Sequence, residues 1–222
     1  MTLSLVVRDG AAFGMVICSS SPAVASRCMH LRAGVGAVAS QNVTNPALGG
    51  VALDALAGGA DAATALDAAT AADRYPEHRQ LIVVDGGGGA AVHTGAAALG
   101  THHGVAIENA AAAGNMLHDH DVIMALLDGY VESGAGALEQ RLLDGLTAAV
   151  TAGGEAGPVH SAGLQVTADV PWPVTDLRVD WHDDPVAELG RLWAVWEPQK
   201  ADYRTRGLDP TAAPSYGVPG DL

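Results

Sequence analysis

The sequence predicts an α+β protein built as a four-layer αββα sandwich, with two antiparallel sheets packed between two helical layers. Two observations carry this. Strand-like and helix-like segments come in blocks, in the order strands, helices, strands, helices, strands, helix, whereas alternating βαβ units need a helix after nearly every strand. The chain has 222 residues, 49% of them apolar, and shows neither an internal repeat nor a dividing linker, which suits a single core. The expected division is a domain over residues 1–197 and a C-terminal arm over 198–222 that packs on the domain or on a partner subunit.

The elements follow in order. Thr2 to Val7 is β-branched and apolar, turns at Arg8-Asp9-Gly10, and returns as a second strand from Phe13 to Cys18. Alternation places Thr2, Ser4 and Val6 on one face of the first strand and Leu3, Leu5 and Val7 on the other. A third strand spans Val35 to Gln41. Asn45-Pro46 then reads as a helix start, and Leu48, Val51, Ala52, Ala55 and Leu56 keep helical spacing to Gly58-Gly59. A second alanine-rich helix covers Asp61 to Ala72, completing the first helical layer. His78 to Asp85 and Ala90 to Thr94 form a hairpin across four glycines, and a short strand lies near Gly104 to Glu108. The glycine run is read as a turn, because neither a helix nor a Lys-Ser/Thr pair follows it as a phosphate loop requires.

From Asp119, residues Ile123, Leu126, Leu127 and Tyr130 repeat at helical spacing, as do Leu138, Leu142, Leu146 and Ala149. Val159 to Ala168 and Val174 to Trp181 return to strands. Asp184-Pro185 caps a last amphipathic helix carrying Val186, Leu189, Trp193 and Trp196. The two tryptophans and the arm supply more aromatic surface than one terminal helix needs, so a homodimer is expected.

Composition narrows the partners. Acidic residues outnumber basic ones by 25 to 11, for a formal charge of −14, so the surface field repels phosphate backbones and anionic lipid. Nucleic acid and membrane surfaces are not expected partners. Ten of the eleven basic residues are arginine and the remaining one is Lys200, which argues against a lysine-assisted active site. Cys18 and Cys28 are too few for a disulfide framework and read as small buried hydrophobes, and no basic-then-apolar segment opens the chain, so a cytoplasmic location is expected. His102-His103 and His118-Asp119-His120 lack the spacing of a zinc helix, so neither a metal nor a cofactor is expected.

Several segments coincide with a known family: Met1 to Asp9, Arg32 to Gln41, Thr44-Asn45-Pro46, Glu77 to Gln80, Gly114 to Leu117, Asp176 to Leu189 and Ala213 to Gly220. Together, in this order, they resemble the domain-of-unknown-function 1028 family. The resemblance implies an Ntn-hydrolase-like αββα fold and a hydrolase of amide bonds, acting on a small amide, lactam or imide, or short peptide. The segment Leu99 to His103 departs from the tryptophan-containing form of relatives, so no relative's substrate is carried over.

Such an enzyme uses its first residue's side chain as nucleophile and that residue's α-amine as base, a pair joined by two carbons. An α-amine titrates near 7.7–8 against about 10.4 for lysine, so it serves as a base near neutral pH. Threonine after the initiator methionine is small enough to permit methionine removal, which makes Thr2 the candidate nucleophile. Gly114 and Asn115 are candidates for the oxyanion donors, through backbone N–H and side-chain amide. Arg32 and Arg79 are candidates to hold a substrate carboxylate or lower the amine's pKa. Ser4, Gln41 and His78 are candidate substrate-binding residues. A non-catalytic binding protein on the same fold is the alternative.

Overall fold

The computed structural model describes residues 2–218, so Met1, whose loss would expose the Thr2 amine, and the last four residues of the arm lie outside the described residues. β1 (Thr2–Asp9) turns at Gly10, with φ of 61°, into β2 (Ala12–Ser19), as the alternation and turn residues predict. A single-turn α1 (Ala25–Cys28) and β3 (Met29–Arg32) lead to β4 (Gly36–Asn42). α2 (Ala47–Ala57) starts where Asn45 Oδ1 accepts the Ala47 N–H, and α3 (Ala62–Ala71) where Asp61 accepts the Thr64 N–H. β5 (Arg79–Asp85) and β6 (Ala90–Thr94) form the predicted hairpin. Its glycine turn is organised by Asp85, whose carboxylate accepts N–H groups from Gly87, Gly89 and the start of α3 at Ala62.

β7 (His103–Ile107) is followed by β8 (Ala110–Asn115), then α4 (Asp121–Val131) and α5 (Leu138–Thr151). β9 (Ser161–Thr167) and β10 (Pro173–Val179) precede α6 (Pro185–Trp196), whose Asp184 cap accepts the Ala187 N–H. The arm opens with α7 (Lys200–Leu208).

Among the described residues the strands make two antiparallel sheets, a six-stranded one in the order β10-β9-β2-β1-β8-β7 and a four-stranded one in the order β3-β4-β5-β6. Three apolar clusters then define four layers. Leu3, Leu5, Val16 and Leu164 of the larger sheet pack on Ile123, Leu126, Leu142, Leu146 and Trp193 of α4, α5 and α6. Val6, Met15, Ile17, Ala111 and Ala113 meet Ala37, Ala39, Ile82 and Val84 between the sheets. Val38, Leu81 and Val83 pack on Leu48, Leu53 and Leu66 of α2 and α3.

β8 was not anticipated. Its four alanines favour helix intrinsically, but the strand lies between β1 and β7 and is buried on both faces, where small side chains let the layers close. The two tryptophans, whose aromatic surface prompted the expectation of a homodimer, make contacts within the chain. Trp193 is buried, and Trp196 donates its indole N–H to Val174 O at 3.2 Å while stacking against Tyr203 of α7. Among the described residues no helix is long and apolar enough to cross a membrane.

Candidate active site

Polar side chains gather at one end of the layer between the sheets. Alternation along β1 sends Leu3, Leu5 and Val7 toward α4 and α5 and turns Val6 toward the smaller sheet, so Thr2 and Ser4 face that sheet as well. The same parity places Ser19 beyond Ile17 on β2 and Asn115 beyond Ala113 on β8. Gln41 on β4 and Gln80 on β5 enter from the opposite sheet, and all six residues are buried. Thr2 and Asn115 are direct partners in the β1–β8 ladder, which sets their Cβ atoms about 5 Å apart.

The direction of the hydrogen bonds here is fixed by backbone carbonyls. Gln41 Nε2 donates to Ala113 O at 3.1 Å, so its Oε1 is the acceptor for the Ser4 hydroxyl at 2.7 Å. Gln80 Nε2 donates to Gly114 O at 3.0 Å, so its Oε1 accepts, taking Gln41 Nε2 at 2.9 Å and Asn115 Nδ2 at 3.1 Å. Asn115 thereby gives one of its two N–H donors to Gln80. Its Oδ1 is buried and, among the described residues, meets no donor. A buried acceptor left unpaired costs about 1–3 kcal/mol, so this oxygen is a place for an incoming N–H or O–H group.

Beyond Asn115 the chain turns through Met116 at φ 51°, a left-handed conformation for a non-glycine residue, as Asn42 does at φ 71° after Gln41. On the other flank Thr2 Oγ1 lies 3.3 Å from Ser19 Oγ. Glu155, which bridges to Leu117, receives the Ser20 N–H at 3.1 and 3.2 Å on its two oxygens. Burial pushes its carboxyl up to about 7. Among the described residues no cluster of three or more His, Cys, Asp or Glu side chains could hold a metal ion.

The sequence candidates separate cleanly in space. Thr2, Ser4, Gln41 and Asn115 come together. Gly114 lies beside them, yet in a strand paired on both sides, and its missing side chain serves packing, since a Cβ there would sit 2.6 Å from Leu117 Cδ2 and 2.8 Å from Ile123 Cδ1. Arg32 pairs with Gly36, five residues along β4 from Gln41 or roughly 17 Å, and it binds Asp54 at 2.8 Å. Arg79 is held by Asp73 at 2.6 Å, a contact that lowers the Asp73 pKa to about 2. His78 is half exposed beside Glu77.

A sequence model for a family of unknown function, DUF1028, matches residues 2–189. The chain belongs to this family. A crystal structure of a DUF1028 protein from Silicibacter pomeroyi superposes with a TM-score of 0.83 at 29% identity, covering 91% of this chain and 89% of that one. No protein of curated function matches the chain.

In this DUF1028 chain the residues that sequence reasoning passed over are Gln80, Ser19 and Glu155. Gln80 stands at the end of the motif Glu77 to Gln80, and its neighbours Leu81 to Val84 are apolar on both faces. Without a polar face, alternation along β5 cannot show where Gln80 points. Glu155 sits in a loop between glycines, where its sequence context resembles any surface turn.

Proposed function

We propose that this chain is an N-terminal-nucleophile amidohydrolase of a small amide, lactam or imide, or short peptide, with Thr2 as nucleophile and its α-amine as base once Met1 is lost. The observation that supports this reading most is Asn115 Oδ1, without a donor among the described residues and directly across the ladder from Thr2, at the polar end of an otherwise apolar interior. In the reaction Thr2 Oγ1 bonds to the substrate carbonyl carbon while its proton passes to the α-amine. The C–N bond then breaks, the leaving nitrogen takes that proton, and water hydrolyses the ester.

Asn115 adds an acceptor to the oxyanion-donor part expected of it. One N–H of its NH₂ group is given to Gln80 and the second stays a donor, while its Oδ1 is an acceptor suited to a substrate N–H or to the amine of Thr2. Ser4 and Gln41 hold this arrangement in place through their hydrogen bonds. One observation favours the non-catalytic alternative: in the chain that still carries Met1, Thr2 is only 4% exposed, so a substrate reaches it only after Met1 is lost or the end of β1 opens.

The test is intact mass combined with a β-lactone probe. Protein lacking Met1 gains the mass of one probe on the peptide beginning at Thr2, and Thr2→Ala does not. Complete retention of Met1 in a native-like host, or labelling confined to Cys18 or Cys28, overturns the reading.

A further inference from the structure

We propose that Glu155 is a positioning residue for the α-amine of Thr2: once Met1 is lost, its carboxylate takes a hydrogen bond from that amine and stabilises the ammonium formed during attack. This rests on the reading of Thr2 as the nucleophile.

The backbone on either side of Thr2 places the carboxylate. A trans peptide points its C=O and the next N–H in opposite directions, and the described residues contain no cis bond. Ser19 O accepts the His160 N–H at 2.8 Å on the β9 side of β2, where Ser19 pairs with Ser161. The Ser20 N–H therefore points the other way, toward β1, and this is the group that Glu155 takes on both oxygens at 3.1 and 3.2 Å. The same rule applies beyond β8. Leu117 N–H reaches Thr101 O at 2.9 Å on the β7 side, so Met116 O points toward β1 and accepts the Ala156 N–H at 2.9 Å.

β1 lies between β2 and β8, and residues 154–156 thus take its place in the sheet just past Thr2. Leu3 pairs with Cys18, so Thr2 is opposite Ser19, and Ser20 stands one register step further out, a rise of about 3.4 Å. The carboxylate bound to the Ser20 N–H closes the end of β1, where the new α-amine would stand.

What this carboxylate lacks is a cation. Glu155 is buried, and none of the ion pairs among the described residues includes it. Burial raises its carboxyl to about 7, and the positive charge of the chain terminus is the largest influence against that rise. A buried carboxylate with a single backbone donor is a place for an ammonium group. In the free amine, an N–H given to Glu155 leaves the nitrogen lone pair for the Thr2 hydroxyl proton. When that proton arrives, the nitrogen becomes an ammonium and the hydrogen bond becomes an ion pair, so the carboxylate raises the amine's pKa. Other titratable groups around Glu155 are the Cys18 thiol of β2, whose pKa is raised by burial and then by Glu155, His118 beside Gly153, His160 beside Ser19, and Asp183 and Asp184 on the cavity that Glu155 lines. Each stays in place when Glu155 alone is changed.

The experiment follows the rate of Thr2 acylation by a β-lactone against pH, in protein lacking Met1, for wild type, Glu155→Gln and Asp183→Asn. In parallel, the NMR shift of the Thr2 α-carbon, in protein made with labelled threonine, reports the amine's titration without any reaction. Glutamine keeps an oxygen for the Ser20 N–H and removes the charge, so both midpoints fall by about one pH unit or more. Asp183→Asn removes a charge from the exposed rim of the same cavity and moves them by a few tenths at most. An unchanged or higher midpoint in Glu155→Gln overturns the proposal, since a carboxylate that only braces the Ser20 turn leaves the amine alone. An equal fall in Asp183→Asn overturns it as well, because the amine then answers to the general field of an acidic chain. Absence of any Thr2 adduct in wild type is instead a failure of the nucleophile reading. The α-carbon shift then decides the positioning role by itself: a lower midpoint in Glu155→Gln supports it, and an unchanged one overturns it.

Discussion

Replacing Lys200, the only lysine in the chain, by methionine tests how the arm is fastened to the domain. Lys200 Nζ lies 2.8 Å from Glu139 Oε1, and the Glu139 side chain is only 2% exposed. The same oxygen accepts the Thr175 hydroxyl at 2.7 Å, and the ammonium sits 5.6 Å from the centre of the Trp193 ring. Methionine keeps most of the aliphatic stem over Trp193 but removes the charge, leaving a carboxylate sealed under α7 with one hydroxyl donor. Breaking a buried pair in this way costs about 3–5 kcal/mol, and the partial exposure of Lys200 puts the value at the lower end, about 3 kcal/mol. For a domain of this size each kcal/mol moves the melting temperature by about 2–4 °C, so Lys200→Met should melt roughly 6–12 °C below wild type. Adding Glu139→Gln removes the stranded charge and should restore most of that loss. Calorimetry at neutral pH reads both. A Lys200→Met protein melting within about 2 °C of wild type, or a double variant no better than the single one, would show that Glu139 is not stranded when the amine is lost.

Two other outcomes follow from burial. Because burial raises the Glu155 pKa to about 7, the folded chain keeps a proton that the unfolded chain has lost, so stability falls as pH rises from the ordinary 4.5 toward 7. Glu155→Gln should abolish that decline, on the order of 3 kcal/mol, and urea titrations across the window in which the two proteins keep parallel pH dependences would refute it. Gly114→Ala should cost about 1–3 kcal/mol through contact with Leu117 and Ile123, measurable as a lower urea midpoint.

The periodic helices and the capped starts at Asp61 and Asp184 were legible because the caps and apolar stripes are local signals. β8 was not, since its alanines carry a helical preference that only neighbouring strands override, and neither was β3, a four-residue edge strand. For the site, two-residue alternation was enough to put Thr2 and Ser4 on one face of β1. Alternation says nothing about β2 and β5, which are buried on both sides, so Ser19 and Gln80 had no signal. Arg32 and Arg79 were chosen for their charge, but what decides their role is the nearest carboxylate, Asp54 for one and Asp73 for the other. Those partners are 22 and 6 residues away in the sequence and come together only in the fold.

If Thr2 is the nucleophile proposed above, the place of β1 bears on when the protein can mature. Its first residue is synthesised first, yet the strand ends up between β2, which follows within a few residues, and β8, about a hundred residues later. Until β8 emerges the terminus is accessible; afterwards Thr2 is 96% covered and paired. An aminopeptidase that removes Met1 therefore works against a clock set by translation and by the closing of the larger sheet. On that reading, chains that fold before they are trimmed are expected to be trimmed more slowly, since Thr2, next to the bond to be cut, is then buried. The fraction of trimmed protein should then depend on how fast the chain is made and folded, and overexpression, which outruns the peptidase, should enrich the untrimmed form.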